Sequence, residues 1–172
     1  MPVGFLFAAA YIWLARPDWA SIGAGAVIAL TGVGVRAAAS GHVRKNEQLT
    51  TTGPYAYTRN PLYLGSVIIG AGFAVAARSW WIAAMLVVIF AAIYVPVIRA
   101  EEAFLRRRFP EFANYAERVP RLLPRVGRGD TGEGFSRELY LQHREYNALI
   151  GTLAMLAALI IKLLWSIPGP HS

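Results

Sequence analysis

The chain has 172 residues, of which 56% are hydrophobic, and its mean hydropathy is +0.41, above the range of an ordinary soluble domain. Cysteine is absent, which excludes disulfides, thiolate metal sites and a cysteine nucleophile, and the three scattered histidines show no metal-ligand spacing. The net charge of +7 has no nucleic-acid recognition motif beside it, so basic residues at a membrane edge explain it better. We therefore predict a lipid-bilayer partner, no nucleic acid and no metal.

Apolar segments dominate the chain order. A membrane-spanning helix needs about 20 apolar residues, and a lone strand in lipid would leave its backbone unpaired. The sequence therefore predicts an all-α fold, a polytopic membrane helix bundle that forms a single domain over residues 1–172. The predicted transmembrane helices are five: 3–15, 19–40, 62–77, 80–98 and 146–165. Only Arg78-Ser79 separates the third from the fourth, which predicts an antiparallel hairpin.

Charge predicts the topology. The loop 41–61 is basic, and the segment 99–145 carries ten arginines, whereas the opposite connections hold only Arg16 with Asp18, and Arg78. Because cytoplasmic loops are rich in Lys and Arg, both long segments are predicted to be cytoplasmic. The N-terminus would then lie inside and the C-terminus outside, in a bacterial inner (plasma) membrane.

The second apolar segment contains a glycine motif and a charge. Gly32-Val33-Gly34-Val35-Arg36-Ala37 fits the dinucleotide pattern G-x-G-x-x-G/A, but that fingerprint needs a preceding strand. Small residues in a membrane helix more often allow two helices to approach closely, and we prefer that interpretation. Arg36 is open to two readings: a side chain that reaches the headgroups, or a functional arginine that faces the bundle.

The third apolar segment begins beside a basic and aromatic loop. Pro61 suits the first turn of a helix and Asn60 its N-cap position. A helix N-terminus also offers free N–H groups to an anion, and Arg59 adds a guanidinium. Together they could hold a carboxylate or a phosphate.

The fourth apolar segment ends at a pair of carboxylates, Glu101-Glu102, which could balance nearby arginines or bind a cationic or diol-bearing ligand. Its helix is predicted to continue to about Arg108. A short helix should follow from Pro110 through Tyr115, and the glycine-rich run 127–134 should form a linker before the fifth segment.

Four motifs in register carry a family resemblance. They are Gly53–Tyr55, Arg59–Gly65, Glu101-Glu102 and Tyr115–Pro124, the last reading Tyr-Ala-Glu-Arg-Val-Pro-Arg-Leu-Leu-Pro. In this order they resemble the membrane methyltransferase superfamily of isoprenylcysteine carboxyl methyltransferase and phosphatidylethanolamine N-methyltransferase. The match covers about residues 48–124. The Gly32-x-Gly34 pair is similar to a glycine pair of the phospholipid branch.

The resemblance implies a cytoplasmic site that binds S-adenosyl-L-methionine, with S-adenosyl-L-homocysteine as product, and methylates a lipophilic small molecule or lipid. The catalytic residues it implies are Arg59, Glu102 and Arg118. By residue type and position, Glu102, Arg118 or Arg121 could orient the acceptor. The cofactor-binding residues it implies are Gln48, Tyr55, Ala56, Tyr57, Thr58, Asn60, Tyr63 and Glu101. Asn60 stands where the family usually has histidine, so no histidine base operates at that position.

Two other functions stay open at the level of sequence. A sterol-reductase-like membrane oxidoreductase would resemble the same fold and would bind NADPH. A non-catalytic membrane partner subunit would bind neither cofactor. The fifth apolar segment, which follows the motifs, favours the subunit, but that function leaves the loop motifs unexplained.

Overall fold

The computed structural model describes residues 2–44, 48–125 and 134–166. These residues form seven α-helices and one 3-10 helix, with no strand among them. The all-α prediction is thereby confirmed. The helices are α1 (Pro2–Leu14), α2 (Trp19–Ser40), α3 (Pro61–Ala77), α4 (Trp80–Arg108), α5 (Phe112–Arg118), α6 (Arg137–Gln142) and α7 (Tyr146–Ser166), and the 3-10 helix is Gly53–Ala56.

Three helices are long and apolar enough to cross a membrane, namely α2, α4 and α7. α3 is apolar but has 17 residues, at the lower end of the spanning range. α1 has 13 residues and is about 20 Å long, which is shorter than the roughly 30 Å hydrocarbon core. The structure therefore describes a membrane helix bundle, while five complete crossings remain a prediction.

α2 and α3 pack against each other along two pairs of glycines. A Cβ added to Gly32 would lie 2.6 Å from the Gly65 carbonyl oxygen, and one added to Gly25 would lie 2.5 Å from that of Gly72. The pairs run in opposite directions along the two helices, so the packing is antiparallel. Gly34 has open space around it. The helix-packing interpretation of the glycine motif is thus correct for Gly32, and Gly34 has no part in this contact.

The α3–α4 connection is the predicted hairpin. Arg78 ends α3 in the left-handed region, with φ 50° and ψ 40°, and its backbone N–H donates to the Val75 carbonyl. A non-glycine residue adopts this conformation uncommonly, mostly at helix ends. Arg78 also pairs with Asp18, which caps α2 through a reciprocal bond with Ser21.

Hydrogen bonds join the helices at the hairpin end of the bundle, where one of its apolar cores lies. The Arg16 N–H donates to the Ala77 carbonyl at 2.8 Å, and the Ser21 hydroxyl to the Ala76 carbonyl at 3.1 Å. Lys162 of α7 donates to the carbonyls of Ile12 and Trp13 at the end of α1 and to that of Ala15, which follows α1. All five tryptophans of the chain lie exposed near helix ends on this side. Their positions fit an aromatic belt at one membrane interface.

At the other end, α4 continues past Ile98 to Arg108, as predicted. α5 then folds back so that Phe109, Phe112 and Tyr115 form a second small core. Of the predicted linker 127–134, only Gly134 lies within the described residues. The glycine-rich part therefore falls outside them.

Candidate functional site

The loop before α3 is held by the chain that follows α5. The Arg59 N–H donates to the Pro120 carbonyl at 2.9 Å, and the Arg125 N–H donates to the Tyr57 carbonyl at 3.0 Å. The Thr58 hydroxyl adds a bond of 3.0 Å to the Leu122 carbonyl. Residues 119–125, here called the tail, thus bind the loop at three positions.

Asn60 occupies the N-cap position of α3, but its side chain makes no capping bond. Its amide Nδ2 instead donates to the Arg121 carbonyl at 2.8 Å. Because Pro61 has no N–H at the first helical position, α3 has one fewer donor to satisfy. Asn60 therefore uses its side chain to fix the tail.

Two buried tyrosines join the same elements. The Tyr115 hydroxyl of α5 donates to the Tyr55 carbonyl of the 3-10 helix at 2.7 Å. Burial raises the pKa of both phenols well above its ordinary value; for Tyr55 the nearby Glu101 carboxylate raises the pKa further. Both hydroxyls therefore stay protonated at physiological pH, and the Tyr115 hydroxyl keeps its hydrogen bond to the loop.

Glu102 lies between two arginines. The Arg121 Nη2 is 2.8 Å from Glu102 Oε2, and its Nε is 3.1 Å from both carboxylate oxygens. These hydrogen bonds, and then the charge of Glu102, raise the pKa of the Arg121 guanidinium. On its other side Glu102 Oε1 lies 3.4 Å from Arg59 Nη1. One buried carboxylate from α4 thus contacts both the loop and the tail.

Arg59 is nearly enclosed, with 12% of its side chain exposed. Its Nε is buried, and no hydrogen-bond acceptor within the described residues contacts it. A buried donor without a partner costs free energy, which a ligand that accepts its hydrogen bond can recover. Arg59 is therefore the side chain in this region that is best prepared for an anion.

Glu101, next to Glu102 on α4, points to a different neighbour. Its Oε2 accepts a 2.9 Å hydrogen bond from the Tyr63 hydroxyl of α3, while the residue remains exposed. The Tyr63 ring lies 5.2 Å from that of Tyr94, which stacks on Phe90 at 5.0 Å. A row of three aromatic rings therefore leads from Glu101 along the α3–α4 interface.

Two adjoining cavities lie among these residues. The first has a volume of about 270 Å³ and reaches from the loop to α5. The second, of about 230 Å³, reaches toward α2 and α7. Six residues line both cavities: Tyr55, Arg59, Asn60, Leu62, Tyr63 and Glu101. Ligand pockets commonly measure several hundred Å³, so the two together suit a ligand pair better than either does alone.

Arg36 of α2 lines the second cavity. It forms a two-pronged pair with Glu145, with bonds of 2.9 Å from Nε and 2.8 Å from Nη2. It also donates to the Ser66 hydroxyl and to the Leu62 carbonyl. Glu145 immediately precedes α7, so this pair attaches the last helix to the cavity wall.

The structure gathers most of the predicted site residues at the cavities. Gln48, Tyr55, Arg59, Asn60, Tyr63, Glu101 and Glu102 all line the first one. Ala56, Tyr57 and Thr58 line neither. Tyr57 is 40% exposed, and the Thr58 side chain is engaged with the tail. Those two residues have structural contacts with the tail, through the Tyr57 carbonyl and the Thr58 hydroxyl.

Arg118 does not reach either cavity. Phe112, Tyr115 and Val119 turn one face of α5 and its end into the small core, and Arg118 lies on another face, where it is exposed. Within the described residues its Nε donates to the Asn114 carbonyl, four positions earlier in α5. Arg121, three residues later in the tail, is the arginine that contacts Glu102. In this structure the contact with Glu102 is therefore made by Arg121, and a catalytic role for Arg118 stays a prediction.

The motifs did not reveal several lining residues. Tyr94 sits in the middle of an apolar run, Ser66 has no distinctive context, and Glu145 lies 109 residues from Arg36. A charged residue within an apolar helix usually has a partner, which was the available signal for Arg36. Among the described residues, no group of three or more His, Asp or Glu side chains could hold a metal ion.

Comparison with known proteins adds two relatives. The nickel-cobalt-cadmium resistance protein NccN of Alcaligenes xylosoxydans xylosoxydans is 43% identical over 83 residues, 48% of this chain and 39% of NccN. The cobalt-zinc-cadmium resistance protein CzcN of Cupriavidus metallidurans is also 43% identical over 83 residues, 48% of this chain and 38% of CzcN. The match thus spans about two fifths of each curated relative. No solved structure matches significantly.

A family model supplies the assignment. The model of phospholipid methyltransferases matches residues 23–111, just over half of the chain. That range includes most of α2, all of α3 and α4, and the loop motifs, and it ends before the tail and α7. The resemblance drawn from the motifs is confirmed. The chain belongs to the phospholipid methyltransferase family.

Proposed function

We propose that the protein is a membrane enzyme that transfers a methyl group from S-adenosyl-L-methionine to a lipophilic acceptor, with S-adenosyl-L-homocysteine as product. The observation that carries the proposal is Arg59. Its guanidinium lines both cavities, is almost fully buried, and holds a buried Nε without an acceptor in the described part of the chain. Family membership supplies the reaction class.

The first cavity fits the charges of this cofactor. S-adenosylmethionine carries a carboxylate, an ammonium, a sulfonium and two ribose hydroxyls. Arg59 would pair with the carboxylate, because a guanidinium binds a carboxylate through two parallel hydrogen bonds. Glu101 would accept hydrogen bonds from the ribose hydroxyls or the ammonium. The Tyr63 hydroxyl, which donates to Glu101, holds the Glu101 carboxylate in place. The residues present therefore suit the amino-acid end of the cofactor and its ribose.

Aromatic side chains suit the remaining positive charge. Tyr55 and Tyr63 line both cavities, and Tyr94 lines the second. The face of an aromatic ring attracts a cation within about 6 Å of its centre. When bound, the cofactor supplies a methyl group on a positively charged sulfur for in-line displacement. The rings would orient that group and exclude water from it.

The second cavity suits the acceptor. It adjoins the first through shared residues, and the Tyr63–Tyr94–Phe90 row leads from it along α3 and α4, two helices of the bundle. A lipophilic acceptor could enter along this row with its reactive group at the shared wall. Glu102, held by Arg59 and Arg121, would fix the geometry of that wall from the other side. Catalysis would then come mainly from positioning.

The names NccN and CzcN refer to resistance to metal cations. For this chain we propose methyl transfer as the activity, because the buried arginine, the exposed carboxylate and the tyrosines of the pocket match an organic cofactor of mixed charge. We also propose that the protein lies in a bacterial inner membrane and that the pocket opens on the cytoplasmic side, since the arginine-rich segments flank it.

Labelled methyl transfer tests the function. Membranes from an expressing host would be incubated with S-adenosylmethionine labelled on the methyl group, and the extracted lipophilic fraction would be counted and separated. The wild-type protein should add label to at least one component, and Arg59→Met should remove that label. Equal labelling by the variant, or none by either protein in membranes that contain folded enzyme, would contradict the proposal.

A further inference from the structure

A third cavity, of about 410 Å³, lies on the side of Glu102 that faces away from the proposed cofactor pocket. Its lining consists of Arg99, Glu102, Ala103, Arg106, Arg107 and Arg121. Of these residues only Glu102 also lines the first cavity, and none lines the second. The third cavity is therefore a separate surface on α4 and the tail.

Four guanidinium groups converge there with a single carboxylate. Arg99, Ala103, Arg106 and Arg107 follow the i, i+4, i+7, i+8 spacing of one helix face. Arg121 reaches the same cavity from the tail, and its side chain is 53% exposed. Guanidinium groups bind phosphate oxygens well because they present paired donors. The excess of positive charge favours an anion.

The position of the cavity along α4 fits the headgroup layer of a bilayer. Residues 80–98 of α4 cover about 28 Å, close to the hydrocarbon thickness of about 30 Å. Arg99 then lies at the edge of the hydrocarbon, and Arg106 and Arg107 lie about 10–12 Å beyond it. The headgroup layer extends roughly 5–7 Å beyond that edge. Arg99 and Ala103 lie within this layer, and the side chains of Arg106 and Arg107 lean back toward it, because helix side chains tilt toward the N-terminus of their helix. A phospholipid in the adjacent leaflet could reach the arginines without leaving the membrane.

We propose that this cavity is a binding site for the headgroup of an anionic phospholipid. The lipid phosphate would engage Arg99 and Arg107 and would compete with Glu102 for Arg121. Because Glu102 also contacts Arg59, occupancy of the lipid site would change the partners of the carboxylate that borders the cofactor pocket. Lipid charge would thus be coupled to the site through one side chain.

Native mass spectrometry of the purified full-length protein tests the site directly. Dioleoylphosphatidylglycerol and dioleoylphosphatidylcholine would be titrated separately, so that net lipid charge is the variable. The wild type should retain the anionic lipid preferentially. Arg99→Gln with Arg107→Gln should weaken its binding about tenfold or more, because each arginine near an anionic surface contributes substantially.

The matched control is Arg118→Gln with Arg125→Gln, which removes the same charge from exposed positions outside the cavity. Its anionic-lipid affinity should stay near that of the wild type. Equal weakening by both pairs would mean diffuse surface charge and would overturn the proposal. Size-exclusion profiles and melting temperatures would show that all variants are folded.

Glu102→Gln tests the competition for Arg121. Removal of the negative charge frees the guanidinium and should strengthen binding of the anionic lipid several-fold, with little change for phosphatidylcholine. Unchanged or weaker binding would overturn the coupling through Glu102. Both experiments measure lipid binding, so their outcome is independent of methyl transfer.

Discussion

The Arg59 guanidinium lies 3.4 Å from the Glu102 carboxylate, and the two side chains are 12% and 9% exposed. Arg121 binds the same carboxylate from the other side, so Glu102 holds two arginines that come from separate parts of the chain. The contact to Arg59 uses Nη1, while the buried Nε has no acceptor in the described residues. The network therefore fixes Arg59 without using all of its donors.

The glycine motif of α2 offers a matched pair of substitutions. Gly32→Ala should destabilise the protein by about 1–3 kcal/mol, because the new Cβ would meet the Gly65 backbone. Gly34→Ala should be neutral or should stabilise by up to about 1 kcal/mol, because that position is open and alanine favours helix. SDS-induced unfolding of the two variants measures both effects. Equal loss in both would contradict helix packing as the role of Gly32.

The Arg36–Glu145 pair should stabilise the junction of α2, α3 and α7. Glu145→Gln leaves Arg36 without its charged partner and should cost about 2–3 kcal/mol, somewhat below a fully buried pair. The double variant Arg36→Met with Glu145→Met should cost less than the sum of the single variants Arg36→Met and Glu145→Met. Unfolding midpoints give the coupling energy, and Glu117→Gln, an exposed acid on α5, is the control. Additive losses would mean that the two side chains do not interact.

Stability should depend on pH through Asp18. A backbone hydrogen bond from Ser21, with help from Arg78, holds the pKa of this carboxyl below its usual value of 3.8. A lowered folded-state pKa means that the stabilisation is present above the usual value and is lost as the pH falls through the folded value. Asp18→Asn should therefore melt lower than wild type at pH 7, and the gap should narrow toward pH 3. A constant gap would contradict this role of the charge.

The topology can be tested with single cysteines, because the natural chain has none. Ser79→Cys marks the α3–α4 hairpin, and Asn114→Cys marks α5 at the opposite end of the bundle. In intact cells an impermeant maleimide should label position 79 and should not label position 114, and permeabilised cells should show labelling at both. The reverse pattern would invert the proposed orientation.

The sequence predicted those features of the helices that depend on neighbouring residues. The apolar runs, the Arg78-Ser79 connection and the extension of α4 to Arg108 each depend on neighbouring residues. The number of transmembrane helices was harder to predict, because the 13 residues of α1 form an apolar helix that is too short to cross the bilayer alone. Its C-terminal carbonyls are satisfied by Lys162, some 150 residues away.

The site was predictable where motifs carry it. Arg59, Tyr63, Glu101 and Glu102 meet as their order and spacing suggested. Arg118 and Arg121 could not be told apart by sequence, because both follow α4 closely and both are basic. The distinction comes from which face of α5 packs into the small core. Glu145 was not predicted as a site residue, because nothing in its local sequence marks it as the partner of Arg36.

Calorimetric titration of the purified protein with S-adenosylhomocysteine, and separately with NADPH, tests the central claim most directly. The wild type should bind S-adenosylhomocysteine at one site and should not bind NADPH. Arg59→Met should weaken that binding about 10- to 100-fold, as expected for lost hydrogen bonds to a charged group. Arg118→Met, the loss of an exposed arginine, should stay within about twofold of wild type. Binding of NADPH, or S-adenosylhomocysteine affinity that survives the loss of Arg59, would contradict the account.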